Sequence, residues 1–116
     1  MHKLNNVIKK RNAVRRDRAN MQAWYYQLDD LNKTVAYAEL RGEHGERTVR
    51  KNARVYYILE GQGEFIVNGN ILFVAKGDVV PIPAKAVYNF HAKESSELKF
   101  IVFLDELLDL SKIPSK

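Results

Sequence analysis

Asn68-Gly69 stands between two short runs of aromatic and β-branched residues, Glu64-Phe65-Ile66-Val67 before it and Ile71-Leu72-Phe73-Val74 after it. A two-residue type I′ hairpin needs positive φ at both central positions, and Asn-Gly meets that demand with little strain. This dipeptide commits the middle of the chain to antiparallel pairing. The same texture continues on both sides. Residues 24–28, 34–40, 48–50, 54–59, 79–82, 87–91 and 98–104 read as further strands, with turn residues at 29–33, 42–46, 60–63 and 77–78 and a break at Pro83. Many short, closely spaced strands without a long helix predict an all-β sandwich or closed barrel. Closure also removes exposed strand edges.

The 116 residues suit one domain, and a domain of that size buries roughly 65% of the surface its unfolded chain exposes. There are no cysteines, which excludes disulfides, cysteine-zinc sites and thiol catalysis. No window is apolar enough for a membrane span. The N-terminus carries Lys3, Lys9, Lys10 and Arg11 instead of the apolar run of a signal peptide. The expectation is a soluble, cytoplasmic protein with no membrane association. The net charge of +5 is unevenly distributed. Residues 1–20 hold seven basic residues against Asp17, so the rest of the chain is slightly acidic. Residues 1–21 therefore read as a basic arm, helical, extended or disordered, followed by a β-domain over 22–105 and a tail over 106–116 that starts with one helical turn.

Three phrases in this order carry a resemblance: Tyr57-Ile58-Leu59-Glu60-Gly61-Gln62-Gly63-Glu64-Phe65, then Asn68-Gly69, then Gly77-Asp78-Val79-Val80-Pro81-Ile82-Pro83. They resemble the cupin superfamily, whose members read similarly at these points. The resemblance covers about two thirds of the chain and implies a double-stranded β-helix, or jelly-roll barrel. Cupins usually bind a metal through three histidines and a glutamate in two motifs. Counted from Gly42 and Gly77, those positions fall on Thr48, Arg50, Arg54 and Tyr88. Lys85 stands where the second motif has a glycine, and Ala92 where it has an asparagine. Arginine cannot be deprotonated to ligate a cation, and imidazole and carboxylate donors are missing at these positions. The expectation is no metal and no cofactor.

If the family's strand register holds, Arg54 points into the barrel, and alternation sends Tyr56 and Ile58 the same way. Tyr88 and Phe90 face inward from another strand, and Thr48 and Arg50 lie near the mouth. An inward arginine needs a partner. It has either an internal carboxylate such as Glu39 or Glu64, or a tyrosine hydroxyl, or an anionic ligand held by the guanidinium fork. The candidate ligand-binding residues are Thr48, Arg50, Arg54, Tyr56, Tyr88 and Phe90. No relocated metal site is expected from His2, His44 and His91, because no two share ligand spacing.

These readings lead to a metal-independent cupin that binds a small, anionic or sugar-like molecule in its barrel. Two alternatives stay open. Some cupin relatives isomerise or epimerise nucleotide sugars without a metal, which would make Tyr88 an acid, although His91 points outward and no base is evident inside. The chain could instead be an interaction module whose arm contacts an acidic partner or nucleic acid. Against nucleic acid, the arm lacks interleaved aromatics and the body is slightly acidic. The resemblance also implies a homodimer formed through N-terminal strands.

Overall fold

The computed structural model describes residues 7–113. The first six residues of the basic arm, with His2 and Lys3, and the last three of the tail lie outside the described residues. Ten strands make two antiparallel sheets. They are β1 (Val14–Arg18), β2 (Met21–Leu28), β3 (Lys33–Leu40), β4 (Arg47–Thr48), β5 (Arg54–Glu60), β6 (Gln62–Val67), β7 (Asn70–Ala75), β8 (Val79–Ile82), β9 (Val87–Ala92) and β10 (Leu98–Leu104). The larger sheet has the order β1-β2-β3-β10-β5-β8, and the smaller β4-β9-β6-β7. No described helix is long and apolar enough to cross a membrane.

Alternation along the strands builds the core. β3 and β9 bury every second residue, so Ala36, Ala38 and Leu40 meet Tyr88, Phe90 and Ala92 between the sheets. Aromatic rings fill the middle. Phe65 and Phe90 stack at 4.3 Å, and Phe100 meets Phe90 edge-on at 5.3 Å. Such ring pairs contribute about 0.5–1.5 kcal/mol each beyond the area they bury. The hairpin at Asn68-Gly69 forms as expected, with φ of 49° and 84° and β6 returning as β7. Gly61 also sits at positive φ, and a Cβ there would lie 2.2 Å from the Glu97 carbonyl oxygen, so the β5–β6 corner admits only glycine.

Two segments are more closely tied to the barrel than the sequence reading placed them, the arm taking the extended one of its open alternatives. Part of the predicted arm is a strand: β1 pairs with β2 along its whole length and forms an edge of the larger sheet. Its four charged residues hid it, yet charge on an edge strand discourages pairing with other chains. The tail is part of the domain as well. Thr34 is fully buried, and its hydroxyl donates to the Glu106 carbonyl at 2.8 Å and accepts from the Leu108 amide at 3.1 Å. Arg16 Nε donates to the Ile113 carbonyl at 3.0 Å. Leu110 is buried, with Leu108 and Ile113 packed on the core. The helical turn is a single 3-10 turn, Leu110–Lys112, and lies later than expected.

Candidate functional site

One end of the barrel opens into a cavity of about 180 Å³. Arg18 reaches it from β1, Tyr25 from β2, Arg47 from β4, Arg54 and Tyr56 from β5, and Tyr88 from β9. His44 joins from the β3–β4 connection, and Leu108 and Ile113 of the tail close one side. A larger, open groove of about 820 Å³ runs along Glu64, Phe73 and His91 of the smaller sheet. There His91 Nε2 lies 3.4 Å from Glu64, both part-exposed, so the inward-facing polar groups belong to the smaller cavity.

Arg54, Tyr56 and Tyr88 are brought together. The two phenol oxygens are 2.8 Å apart, and Arg54 Nη1 donates to Tyr88 Oη at 3.4 Å. Burial pushes the Tyr56 hydroxyl well above its ordinary pKa, with Tyr88 adding to the shift, so it stays protonated. Arg54 Nη2 lies 3.9 Å from the Glu106 carboxylate, and Arg54 Nε is buried with no protein partner. The arginine's carboxylate therefore comes from the tail. Glu39 accepts from the Tyr37 hydroxyl and Glu64 faces His91, so neither plays the internal role proposed for it. Phe90 is fully buried and does not line the cavity; its ring lies behind that of Tyr88, 6.3 Å from it centre to centre.

Thr48 and Arg50 are corrected. Both are exposed and neither lines the cavity. Directly paired residues of neighbouring strands share a face. Arg47 pairs with Tyr88, which points inward, and Thr48 pairs with Val87, which points out. The inward positions are thus Arg47 and Val49, the latter buried, one residue off the spacing counted from Gly42. Of the two arginines at the former ligand positions, Arg54 lines the cavity and Arg50 does not; Arg47 and Arg18 supply the additional positive charge.

His44 is not among the candidate ligand-binding residues, yet it lines the cavity. Its backbone amide donates to the Phe90 carbonyl at 2.8 Å, and the Gly45 amide donates to Asn89 Oδ1 at 2.9 Å, which ties the connection to β9. The ring stacks on Phe90 at 4.3 Å and lies 6.2 Å from Tyr88, centre to centre. His44 Nδ1 is 2.9 Å from the Gly45 carbonyl, which can only accept, so Nδ1 carries the proton. Nε2 is then the acceptor and faces Arg18 Nη2 at 3.5 Å. Burial, reinforced by Arg18, Arg47 and Arg54, lowers the His44 pKa to about 4, against the opposing pull of the Gly45 carbonyl. Only the pairing of the 41–46 connection with β9 could have revealed this residue.

The fold's usual divalent metal does not suit this donor set. One imidazole, three phenols and three guanidinium groups surround the cavity, and no group of three His, Cys, Asp or Glu side chains with metal-binding geometry exists among the described residues. Guanidinium groups repel a divalent ion.

Comparison with solved structures supports the same architecture. The chain is similar to a predicted oxalate decarboxylase of Thermotoga maritima, at 19% identity over 89% of this chain and 100% of that one, with a TM-score of 0.74. It is also similar to Pac13, a nucleoside dehydratase from Streptomyces, at 15% identity over 92% and 87% of the two chains, with a TM-score of 0.79. KdgF from Halomonas gives 14% identity over 91% and 98%, with a TM-score of 0.75. No curated protein matches the chain. The family model described as the cupin domain matches residues 40–104, more than half of the chain and every strand from β4 to β10, and the chain belongs to the cupin family.

Proposed function

We propose that this chain is a metal-independent cupin that binds a small anionic molecule at the barrel mouth. One observation carries the reading: guanidinium groups from three separate strands converge on one cavity, and the only carboxylate paired with them among the described residues is Glu106, at 3.9 Å. Nearby Glu43 is turned away and accepts from Asn89 Nδ2 at 2.6 Å. A concave site with a few convergent polar groups over an aromatic floor suits ligand binding. Isothermal titration with sugar phosphates and carboxylic acids tests it. Arg54→Ala should lose at least tenfold in affinity while keeping the wild-type circular dichroism spectrum. Unchanged affinity in that variant refutes the assignment.

Proton-transfer catalysis is a second reading, favoured by the tautomer of His44. An unprotonated Nε2 and the Tyr88 phenol in one cavity supply a base and an acid. Structures of Pac13 with uridine include variants in which a tyrosine is changed to phenylalanine or a histidine to glutamine. The present cavity holds residues of both types in His44, Tyr56 and Tyr88. A metal-free isomerase or lyase acting on a nucleoside or nucleotide sugar fits this arrangement. Its test is solvent-deuterium incorporation into such compounds, followed by NMR. His44→Gln should abolish exchange and keep binding; the absence of exchange with wild-type protein removes the reading.

The outer face of the larger sheet supports a homodimer. Val79, Tyr57, Ile101, Tyr37 and Trp24 are cross-strand neighbours, as are Pro81, Val55, Phe103, Val35 and Tyr26 in the next row. Lys10 and Arg15 cover Trp24, whereas Val79 and Phe103 stay 57% and 47% exposed. Five strands at about 4.8 Å spacing and two to three turns of pleat give a face of roughly 400 Å², about half of the ~800 Å² per partner of a stable interface.

A further inference from the structure

The charge balance at the barrel mouth narrows the ligand class. Arg18, Arg47 and Arg54 each act on both His44 and Tyr25, so their charges focus on one place instead of being spread along the sheet. Against three positive charges stands Glu106, the one carboxylate paired with them among the described residues. His44 adds none at neutral pH, since burial and the same arginines keep its ring uncharged. Among the described residues the site therefore holds two positive charges in excess.

Each contact that Arg54 makes is long, at 3.4 Å to Tyr88 and 3.9 Å to Glu106, and its buried Nε has no partner. Among the described residues Arg47 bonds only to the carbonyl of its neighbour Glu46, at 2.9 Å, and Arg18 only to the His44 ring. Several N–H groups are thus available to one acceptor. A carboxylate brings one charge and two oxygens. A phosphate monoester brings between one and a half and two charges and three strong acceptor oxygens, enough to meet two or three guanidinium forks at once. The cavity volume of about 180 Å³ equals roughly six waters at ~30 Å³ each. That is room for a phosphate with a short carbon skeleton, while a larger group must extend past the tail.

We infer that the ligand is a phosphate monoester of a small molecule, its phosphate held jointly by Arg18, Arg47 and Arg54 in partial competition with Glu106. This rests on the anion-binding reading above. The experiment is isothermal titration of the full chain with compounds of one three-carbon skeleton, namely glycerol, glycerate and glycerol 3-phosphate, plus malonate as a dianion without phosphate geometry. Glycerol 3-phosphate should bind at least tenfold tighter than glycerate or malonate, and glycerol should not bind measurably. Arg47→Ala removes a side chain with no hydrogen bond to another strand, so the fold is retained. It should cost about tenfold for glycerol 3-phosphate and less for glycerate. Glu106→Gln should tighten phosphate binding severalfold by removing the competing carboxylate.

Glycerate or malonate binding as tightly as the phosphate ester overturns the phosphate inference and leaves anion binding standing. If all three anions fail to bind, the anion-binding reading falls with it. Unchanged phosphate affinity in Arg47→Ala also overturns the shared-arginine site.

Discussion

Acidification should destabilise this protein through His44, by an amount that follows from its surroundings. The ring is held below its ordinary pKa of 6.5, at about 4, by burial and three arginines. As pH falls, the unfolded chain takes up this proton first. The contribution is fully present above pH 6.5 and is lost as pH falls through the folded value near 4. The whole shift of two and a half units corresponds to about 3.5 kcal/mol at about 1.4 kcal/mol per unit. Between pH 7.5 and 4.5 the loss is about 2.5 kcal/mol. Carboxylates add to the slope, so the informative quantity is the difference between wild type and His44→Gln. Urea unfolding at both pH values, followed by the fluorescence of the single tryptophan, Trp24, measures it. The variant loses ring stacking on Phe90 and should be less stable at pH 7.5 by about 1 kcal/mol. Its pH-dependent loss should be smaller than that of wild type by about 2.5 kcal/mol. Equal losses in the two proteins would refute the view that a neutral His44 is enclosed among these arginines.

Two backbone positions should respond in opposite directions. Gly61→Ala should cost about 3 kcal/mol, because its Cβ meets the Glu97 carbonyl and its φ is +90°. Lys85 occupies φ of 69° where cupins usually carry glycine, so Lys85→Gly should stabilise by about 0.5 kcal/mol, the relief of strain exceeding the added chain entropy; thermal and urea unfolding measure both. Phe103→Glu places a charge in the apolar outer row and should convert a dimer into a monomer in light scattering, with the barrel's circular dichroism unchanged; a wild-type monomer at high concentration would remove that proposal.

The strands rich in β-branched and aromatic residues were legible because alternation and turn chemistry act locally. Asn68-Gly69 makes its hairpin wherever it is placed between such strands, and Gly61 is demanded by its own corner. Arg54, Tyr56 and Tyr88 could be oriented from residue alternation once the fold was recognised. Charge hid β1, since an edge strand needs little apolar surface and shows no alternation to read. Thr48 and Arg50 were misplaced by one position because β4 is two residues long, too short to declare its own phase. Its partner β9 sets that phase through the Arg47–Tyr88 pair.

The sequence by itself determined an all-β chain with cupin turns and no conventional ligand set for a divalent ion, because those properties reside in residue identity and in neighbours a few positions apart. Tertiary structure alone decided the composition of the site. Arg18, His44 and Glu106 meet Arg54 from positions 36, 10 and 52 residues away along the chain. Only closure of the two sheets and the pinning of the tail on Thr34 place their charges within reach of one another. Coulombic interaction depends on distance through the folded molecule, and separation along the chain carries no record of it.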